Sequence, residues 1–306
     1  MKIIAIDNGY EGTKIYDGAK EVLIPSRLQE GESGTIGMGR YKVTYNGNQY
    51  IVGAGVFNYE MNIDKTKTAF HKILTLTALA QYTEVKEDFK IVAGLPINHY
   101  KSQRKGFEEY LKTKEPVQIE VNGETKIINI KDVKCFPQEA AALYSIGADK
   151  YKDKRVGVWG WGGGTVDGGI MDNLNLIEES IFTIENGAHS IKTDIAQRIN
   201  ARYSTNIKEE SIDNILANDF KLKGETIGIQ DIIKKSISKA INAAIRTSKV
   251  LGWELDSMDI IHTGGGILMP YMQVTLKEMI PQSTFSNSPV FDNARGLYKV
   301  GEVIYK

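Results

Sequence analysis

The chain has 306 residues, of which 42% are apolar, so it is long enough to form two ordinary packed domains. Lysine plus arginine and aspartate plus glutamate both number 38, and this balance argues against direct binding to DNA or to an anionic membrane. No apolar stretch approaches the roughly 20 residues that cross a bilayer. Residues 1–7 are typical of a strand that reaches an acidic turn, not of a signal peptide, so we expect a cytoplasmic globular protein without membrane contact.

Strand patterns dominate the start of the chain. Three short apolar segments separated by glycine or Asp-Gly turns predict an antiparallel meander, and Asn-Gly dipeptides predict two later hairpins. Apolar residues at helical spacing predict a helix at 71–80, and two further helices are predicted in the same half, of which 100–111 is a charged surface helix. The predicted elements are, in order, strands 2–6, 13–16 and 21–24, hairpin 41–45 and 49–52, helix 71–80, strand 89–95, helix 100–111, hairpin 117–121 and 126–130, strand 133–136 and helix 139–146.

The second half repeats this plan, since three strand candidates again come first and helices follow. The longer helix has an apolar stripe at helical period, which predicts a core-facing side. Strands interleaved with helices predict α/β domains, and the repeated order predicts two related ones. The predicted elements are strands 155–161, 165–171 and 175–184, helices 188–203 and 229–251, strand 258–262, helix 269–279 and loop 281–289.

Three glycine-rich turns, at residues 7–12, 162–167 and 264–266, each follow a strand candidate. Glycine has no Cβ, so backbone N–H groups in such turns can approach an anion closely. Ligands of α/β sheets bind at the carboxyl ends of strands, which is where all three turns lie. Three cradles of this kind suggest one polyphosphate ligand.

Acidic and basic residues in the first two turns fit this chemistry. Asp7 could reach a metal-bound water while the amides of residues 9–12 face phosphate, and Lys14 could add positive charge. In the second turn the glycines and the Thr165 hydroxyl could bind phosphate, and Asp167 adds a carboxylate. A plain hairpin turn at Asp7 and a helix-entry turn at the third glycine cluster remain alternatives.

The order of these motifs resembles that of the actin-like ATPase superfamily, and in particular of bacterial and archaeal plasmid-segregation proteins of the ParM type. The resemblance covers nearly the whole chain. It rests on Ile6 to Tyr10 and Gly162 to Asp167 as phosphate loops, Gly264 to Gly266 as the adenosine loop, and Phe136 to Ala142 and Phe291 to Gly296 as connecting segments.

The resemblance implies an actin-like, ribonuclease H-like α/β fold, with two related domains around a nucleotide cleft. Domain I would comprise residues 1–137 plus 291–306, with a small inserted subdomain at about 31–87. Domain II would comprise residues 138–290, with a helical subdomain at about 204–256.

The resemblance also implies ATP or GTP with Mg²⁺ as ligands. Gln138 falls where the family positions the water that attacks the γ-phosphate, with Glu139 next to it and Asp7 as the third catalytic candidate. A Gln138 that only caps the helix after Pro137 remains the alternative. Asp7 and Asp167 are the expected metal ligands. The expected nucleotide contacts are Asn8, Gly9, Tyr10, Gly12, Lys14, Gly162, Gly163, Gly164, Thr165, Asp167, Gly187, Lys192, Gly264, Gly265 and Gly266.

By this resemblance the protein is expected to be an ATPase that polymerises head-to-tail into filaments for plasmid DNA segregation, with hydrolysis controlling filament stability. A small centromere-binding adaptor protein, not direct DNA contact, would link the filament to its cargo. The alternative is a small-molecule kinase of the sugar or acetate type from the same superfamily.

One position departs from the family pattern. The second phosphate loop normally begins with an aspartate that helps to hold hydrated Mg²⁺, whereas this chain has Gly160 there. Without that charge we expect weakened or slow hydrolysis with nucleotide binding retained. Gly160 therefore also supports a third interpretation, a nucleotide-binding scaffold with no useful hydrolysis.

Overall fold

The structure is a computed structural model that describes residues 1–31, 40–53, 64–66 and 68–306. These residues form two compact units: unit 1 is Met1–Ala148 with Phe291–Lys306, and unit 2 is Asp149–Val290. The sequence predicts domain boundaries after residues 137 and 290, and the two units divide after residues 148 and 290. Part of the expected inserted subdomain at about 31–87 lies outside the described residues.

Unit 1 is built on one mixed sheet. Its strands in the described residues are β1 (Lys2–Asn8), β2 (Gly12–Tyr16), β3 (Glu21–Pro25), β4 (Leu28–Glu30), β5 (Tyr41–Tyr45), β6 (Asn48–Val52), β7 (Lys86–Leu95), β8 (Val117–Val121) and β9 (Glu124–Pro137). They are arranged in the order β3-β2-β1-β7-β9-β8-β5-β6-β4. Because β1, β7 and β9 run parallel, their carboxyl ends lie at the same edge of the sheet.

Unit 2 contains a smaller mixed sheet and a separate short hairpin. Its strands are β10 (Arg155–Trp161), β11 (Val166–Asp172), β12 (Asn175–Ile184), β13 (Phe220–Leu222), β14 (Glu225–Ile227), β15 (Asp259–Thr263) and β16 (Ser283–Phe285). The sheet has the order β12-β11-β10-β15-β16, and β13 pairs with β14.

Helices cover both sheets. In the described residues they are α1 (Phe70–Ala80), α2 (Tyr100–Leu111), α3 (Gln138–Tyr151), α4 (Ala188–Tyr203), α5 (Ile212–Asn218), α6 (Gln230–Val250), α7 (Met272–Met279) and α8 (Asp292–Ile304). Every residue of α1 except Lys72 is buried, as expected for a helix that is apolar on all sides. None of the described helices is long and apolar enough to cross a membrane.

The two units share a strand arrangement. Each begins with an antiparallel meander, β1-β2-β3 or β10-β11-β12. In each, the first strand of the meander also pairs in parallel with a later strand, β7 or β15. The predicted α/β class with two related halves is therefore confirmed.

Helix α8 returns the chain to unit 1 and packs closely there. A Cβ placed on Gly296 would lie 1.7 Å from the Ala141 carbonyl oxygen of α3, and one on Gly301 would lie 2.9 Å from Val92 Cγ2 of β7. Only glycine is possible at position 296, because any side chain there would collide with the backbone of α3, and a side chain at position 301 would displace the Val92 side chain. Leu297 of α8 is fully buried in the same cluster.

The predicted elements differ from the structure in a few places. Segments 126–130 and 133–136 form one strand, β9, because Lys131 is a bulge residue opposite the Phe89 and Lys90 pair of β7, and the ladder continues past it. The predicted loop 281–289 contains β16, and α5, β13 and β14 were missed because such short elements show no clear period. Helix α7 begins after Pro270 and Tyr271, the latter at φ 68°, and not at residue 269.

Candidate functional site

The first glycine turn, residues 7–12, is a tight connection between β1 and β2; we call it the Asp7 turn. Asp7 and Asn8 are 2% and 1% exposed. The Gly9 N–H donates to the Gly12 carbonyl over 3.2 Å, so this amide closes the turn. The parallel arrangement of β1, β7 and β9 places Asp7 at the sheet edge where β9 leads into Gln138.

Side chains from distant parts of unit 1 converge on the Asp7 carboxylate. The Gln138 Nε2 group, at the start of α3, donates to Asp7 Oδ1. The Asn293 Nδ2 group, in the first turn of α8, donates to Oδ2 over 3.4 Å. Lys14 Nζ lies 3.5 Å from the same oxygen. Gly94 on β7 leaves room for this arrangement, since a Cβ there would lie 2.9 Å from Gln138 Cγ.

The Asn8 side chain points into unit 1. Its Oδ1 accepts a hydrogen bond from Thr13 Oγ1 over 3.1 Å, and its Nδ2 donates to Thr75 Oγ1 over 3.3 Å. Both polar groups are therefore used within the protein. The Asn8 side chain, an expected nucleotide contact, is thus already engaged within unit 1.

Ser26 holds the carbonyl groups of the Asp7 turn. Its hydroxyl donates to the Gly9 carbonyl over 2.7 Å, and its N–H donates to the Glu11 carbonyl over 3.1 Å. In a trans peptide the N–H points opposite to the C=O. The N–H groups of Tyr10 and Gly12 therefore point away from Ser26. This orientation is what an anion-binding turn requires.

The remaining predicted residues near this turn are buried or partly buried. Tyr10 is partly buried, Gly12 is buried against Leu23, and Glu139 is 5% exposed at the second position of α3. Glu139 thus lies beside Gln138 in the chain but in the interior of unit 1.

The second turn, residues 162–167, is held by the start of α4; we call it the glycine loop. Consecutive amides of Gly187, Ala188 and His189 donate to consecutive carbonyls, those of Gly164, Gly162 and Gly163 respectively, over 3.2, 3.0 and 2.9 Å. A Cβ on Gly187 would lie 2.5 Å from the Gly163 carbonyl oxygen, so glycine is required for this approach.

These bonds orient the amides of the glycine loop. Because all three carbonyls face α4, the N–H groups of Gly163, Gly164 and Thr165 must point to the opposite side. The Gly162 N–H instead closes the loop by donating to the Thr165 carbonyl over 2.9 Å. Three successive amides on one side form the type of concave donor group that binds anions.

Asp167 accepts hydroxyl hydrogen bonds at both carboxylate oxygens. Thr165 Oγ1 donates to Oδ2 over 2.7 Å and Thr183 Oγ1 donates to Oδ1 over 2.6 Å. Asp167 is 7% exposed and faces Gly160 across the β10-β11 pair. The position at which the family has an aspartate therefore neighbours the expected metal ligand.

The third glycine cluster packs against β10. Gly264 has φ 87°, and a Cβ there would lie 2.4 Å from the Trp161 carbonyl oxygen. A Cβ on Gly266 would lie 3.0 Å from Trp161 Cβ, while Gly265 is nearest to Val290. Glycine at 264 and 266 therefore has a packing role in unit 2, whether or not a ligand binds.

Lys192 lies on α4, but its ammonium is directed elsewhere. Its Nζ donates to Asp213 Oδ2 over 2.8 Å, at a carboxylate that is 68% exposed. The nearby His189 Nδ1 lies 2.6 Å from Glu209 Oε1. Both side chains connect α4 to the segment that follows it, and neither contacts the glycine loop through these bonds.

The carboxylates fit Mg²⁺ of the nucleotide-bound kind. The described residues contain no group of three or more His, Cys, Asp or Glu side chains that could hold a metal. Mg²⁺ usually keeps several waters and binds through one or two carboxylates plus substrate phosphates. Asp7, beside two amides and the Lys14 ammonium, and Asp167, beside two hydroxyls, are each buried carboxylates with the chemistry for that role.

The sequence interpretation missed four residues that organise the two turns. Ser26, Lys65, Thr183 and Asn293 all hydrogen bond to the Asp7 turn or to Asp167. Only Asn293 carried a signal, because it lies in the connecting segment used for the family resemblance. The others sit in ordinary strand or loop sequence.

The first part of the chain is similar to a known protein family. Residues 5–140 match the family described as actin like proteins N terminal domain. A comparison with curated protein sequences gives no match.

Solved structures match over the full chain. The archaeal actin homolog Ta0583 has a TM-score of 0.84 at 19% identity, covering 99% of this chain and 100% of that one. A 15-stranded ParM filament from Clostridium botulinum has a TM-score of 0.76 at 19% identity, covering 99% of both chains. The apo pSK41 ParM protein has a TM-score of 0.75 at 20% identity, covering 99% and 98%.

These likenesses confirm the predicted fold. The expected resemblance to ParM-type actin homologues is confirmed at the level of structure, and the family match covers most of the first half of the chain. The chain therefore has the actin-like fold, and residues 5–140 are similar to the N-terminal domain of actin-like proteins.

Proposed function

We propose that this protein binds ATP with Mg²⁺ and polymerises head-to-tail into filaments that segregate plasmid DNA. The observation that carries the proposal is the glycine loop, in which three carbonyls bound to α4 leave three successive N–H groups on the other side. Such a group favours phosphate because each N–H is preoriented and no side chain intervenes. Ta0583 has been solved in complex with ADP, which supports a nucleotide as the ligand.

The Asp7 turn would bind phosphate in a similar way. Ser26 directs the Tyr10 and Gly12 amides outward, and Lys14 adds a positive charge. We propose that Gly187 serves the same purpose indirectly, by letting α4 approach the glycine loop. Gly264 and Gly266 would form the wall for the adenosine.

Hydrolysis would depend on Gln138. Because its Nε2 donates to Asp7, the amide is fixed and its Oε1 is the acceptor that remains for a proton of the attacking water. Glutamine is a poor base, which suits phosphoryl transfer that depends on positioning and charge stabilisation. Bound Mg²⁺, for which Asp7 and Asp167 are the candidates, would neutralise charge on the phosphate oxygens.

Structures with a similar fold support polymerisation. Two of the similar structures are titled as filaments, those of Alp12 and of the Clostridium botulinum ParM. The neutral charge balance of this chain fits a filament that reaches DNA through an adaptor protein. We therefore propose a centromere-binding adaptor as its partner.

Electron microscopy and light scattering of the purified protein with Mg²⁺ and ATP, or with ADP, would test the proposal. Filaments with ATP that shorten or vanish with ADP would support it. ATP consumption only after a sugar or carboxylate is added would instead support the kinase alternative. ATP binding with neither polymer nor turnover would support the scaffold interpretation.

A further inference from the structure

A buried lysine outside the recognised motifs contacts the Asp7 turn. Lys65 precedes α1 and is 5% exposed. Its Nζ donates to the Asn8 carbonyl over 2.6 Å. A buried ammonium costs much free energy unless nearby groups compensate it, so its retention at this position needs a reason.

Lys65 completes the support of the turn carbonyls. Ser26 binds the carbonyls of Gly9 and Glu11, and Lys65 binds that of Asn8. The three hydrogen bonds differ in kind, because Ser26 is neutral and only Lys65 carries a charge. Its hydrogen bond is charge-assisted and therefore stronger than the others.

Two titratable groups that interact with the charge of Lys65 remain neutral near pH 7. His71 of α1 feels this charge, and burial first and Lys65 second lower its pKa to about 3. Burial raises the pKa of Cys135 to about 12, so that side chain also carries no charge near neutral pH.

We propose that Lys65 is a positioning residue of the phosphate-binding turn, where its ammonium fixes the Asn8 carbonyl and supplies positive charge for a bound polyphosphate. This inference rests on the proposed nucleotide binding. Lys14 already lies close to Gly9, since a Cβ there would be 2.9 Å from its Nζ. Lys65 would thus be a second cation that serves the same turn from a segment outside the motif.

The chain offers a matched control in Lys72 of α1. Its Nζ donates to the carbonyls of Tyr110 and Leu111 over 2.9 and 2.7 Å. Like Lys65, it is an ammonium bound to backbone carbonyls in unit 1. Unlike Lys65, it supports the end of α2 and not the Asp7 turn.

The test measures binding of ATP, ADP and adenosine by calorimetry in the presence of Mg²⁺, together with melting temperature. We expect Lys65→Met to weaken ATP and ADP binding about tenfold or more while adenosine affinity stays within about twofold, since only phosphates respond to the lost charge. Lys65→Arg should recover most of the ATP affinity. Lys72→Met should lower the melting temperature without changing ATP affinity.

Unchanged ATP binding in Lys65→Met, or an equal loss for ATP and adenosine, would overturn the inference. If Lys65→Met does not fold, Lys65→Gln decides, because it removes the charge but keeps an amide donor on a side chain one atom shorter. ATP affinity equal to wild type would then contradict the proposal. Failure of the wild-type protein to bind ATP would instead contradict the proposed function.

Discussion

The Asp7 turn and the glycine loop are built alike but supported differently. In each, the first glycine N–H closes the turn, and further carbonyls are bound from one side. The Asp7 turn is held mainly by side chains, those of Ser26, Lys65, Gln138 and Asn293, with one backbone bond from Ser26. The glycine loop is held by the backbone of one helix, α4.

This difference predicts how each turn responds to mutation. A turn held by side chains can be adjusted by single substitutions, because each removes one hydrogen bond and leaves the backbone in place. A turn held by backbone amides has no such side chain to change. It can be altered only where a new Cβ would push the backbone apart, as at Gly187.

We expect Gly187→Ala to have the largest effect. Its Cβ would meet the Gly163 oxygen at 2.5 Å and the Thr165 nitrogen at 2.7 Å, so α4 and the glycine loop must separate. The strain should cost about 3 kcal/mol of stability. ATP binding should weaken at least about 100-fold, measured by calorimetry.

Gly12→Ala in the Asp7 turn is the matched control. There the new Cβ would meet Leu23 Cδ1 at 2.6 Å, the end of a half-exposed side chain that can rotate away. We expect it to cost less than about 1 kcal/mol. Equal losses in the two variants would contradict the distinction between backbone and side-chain support.

His262→Phe should destabilise unit 2 by about 2 kcal/mol, because it leaves two buried groups without partners. Trp161 Nε1 donates to His262 Nδ1 over 3.1 Å, and His262 Nε2 lies 2.9 Å from Ser283 Oγ. Fluorescence during urea unfolding would report the loss, since all three tryptophans, Trp159, Trp161 and Trp253, lie in unit 2.

His71→Phe is the counterpart in unit 1. The His71 Nδ1 atom is buried without a hydrogen-bond partner among the described residues. The substitution should therefore lower the free energy of unfolding by less than about 0.5 kcal/mol, measured by circular dichroism. A larger loss at His71 than at His262 would be the contrary result.

Acid should destabilise unit 2 through His262. Burial first and Lys277 second lower the pKa of His262 from 6.5 to about 3. The unfolded chain therefore binds a proton that the folded chain does not, and stability is lost as pH falls from 6.5 towards 3. The free energy of unfolding, followed by tryptophan fluorescence, should depend less steeply on pH over this range in His262→Phe.

Gln138→Ala should reduce ATP turnover about 10- to 50-fold while ATP affinity stays within about threefold, because the residue orients water and does not bind phosphate. A phosphate-release assay with calorimetry would separate the two quantities. Thr183→Val removes one donor to Asp167 in unit 2 and should lower turnover only about twofold to threefold, since Thr165 remains. Wild-type turnover in Gln138→Ala would remove Gln138 from the mechanism.

One substitution is expected to raise activity. Gly160→Asp restores the acidic residue of the family pattern beside Asp167 and should raise turnover about threefold to tenfold in the phosphate-release assay. Gly160→Asn, with the same shape but no charge, should not. Turnover of Gly160→Asp equal to that of wild type would show that this glycine does not limit hydrolysis.

Much of the fold could be predicted because its long elements have clear periods. Helix α6 shows an apolar stripe over 21 residues, and β1, β7 and β10 are mainly apolar in the part that precedes their turns. Strands of three residues, such as β16, show no period, and their pairing is decided by the neighbouring strand β15. The bulge at Lys131 likewise depends on the facing strand and not on local sequence.

The candidate site could be predicted where its residues fall within one motif. Asp7, Gln138 and the glycine loop belong to such motifs. The contacts of Lys65 and Ser26 could not be predicted, because they join residues 57 and 17 positions apart and depend on tertiary structure. The inward direction of the Asn8 side chain could not be predicted either, because its partner Thr75 is distant in the sequence.

The return of α8 to unit 1 has a consequence for synthesis on the ribosome. Unit 2 is one continuous stretch, Asp149–Val290, whereas unit 1 needs Phe291–Lys306 as well. Asn293, 286 positions after Asp7, and the Gly296 contact with α3 exist only once those residues have been made. During synthesis unit 2 can therefore be complete before the Asp7 site is, because the Asn293 contact needs residues that follow unit 2.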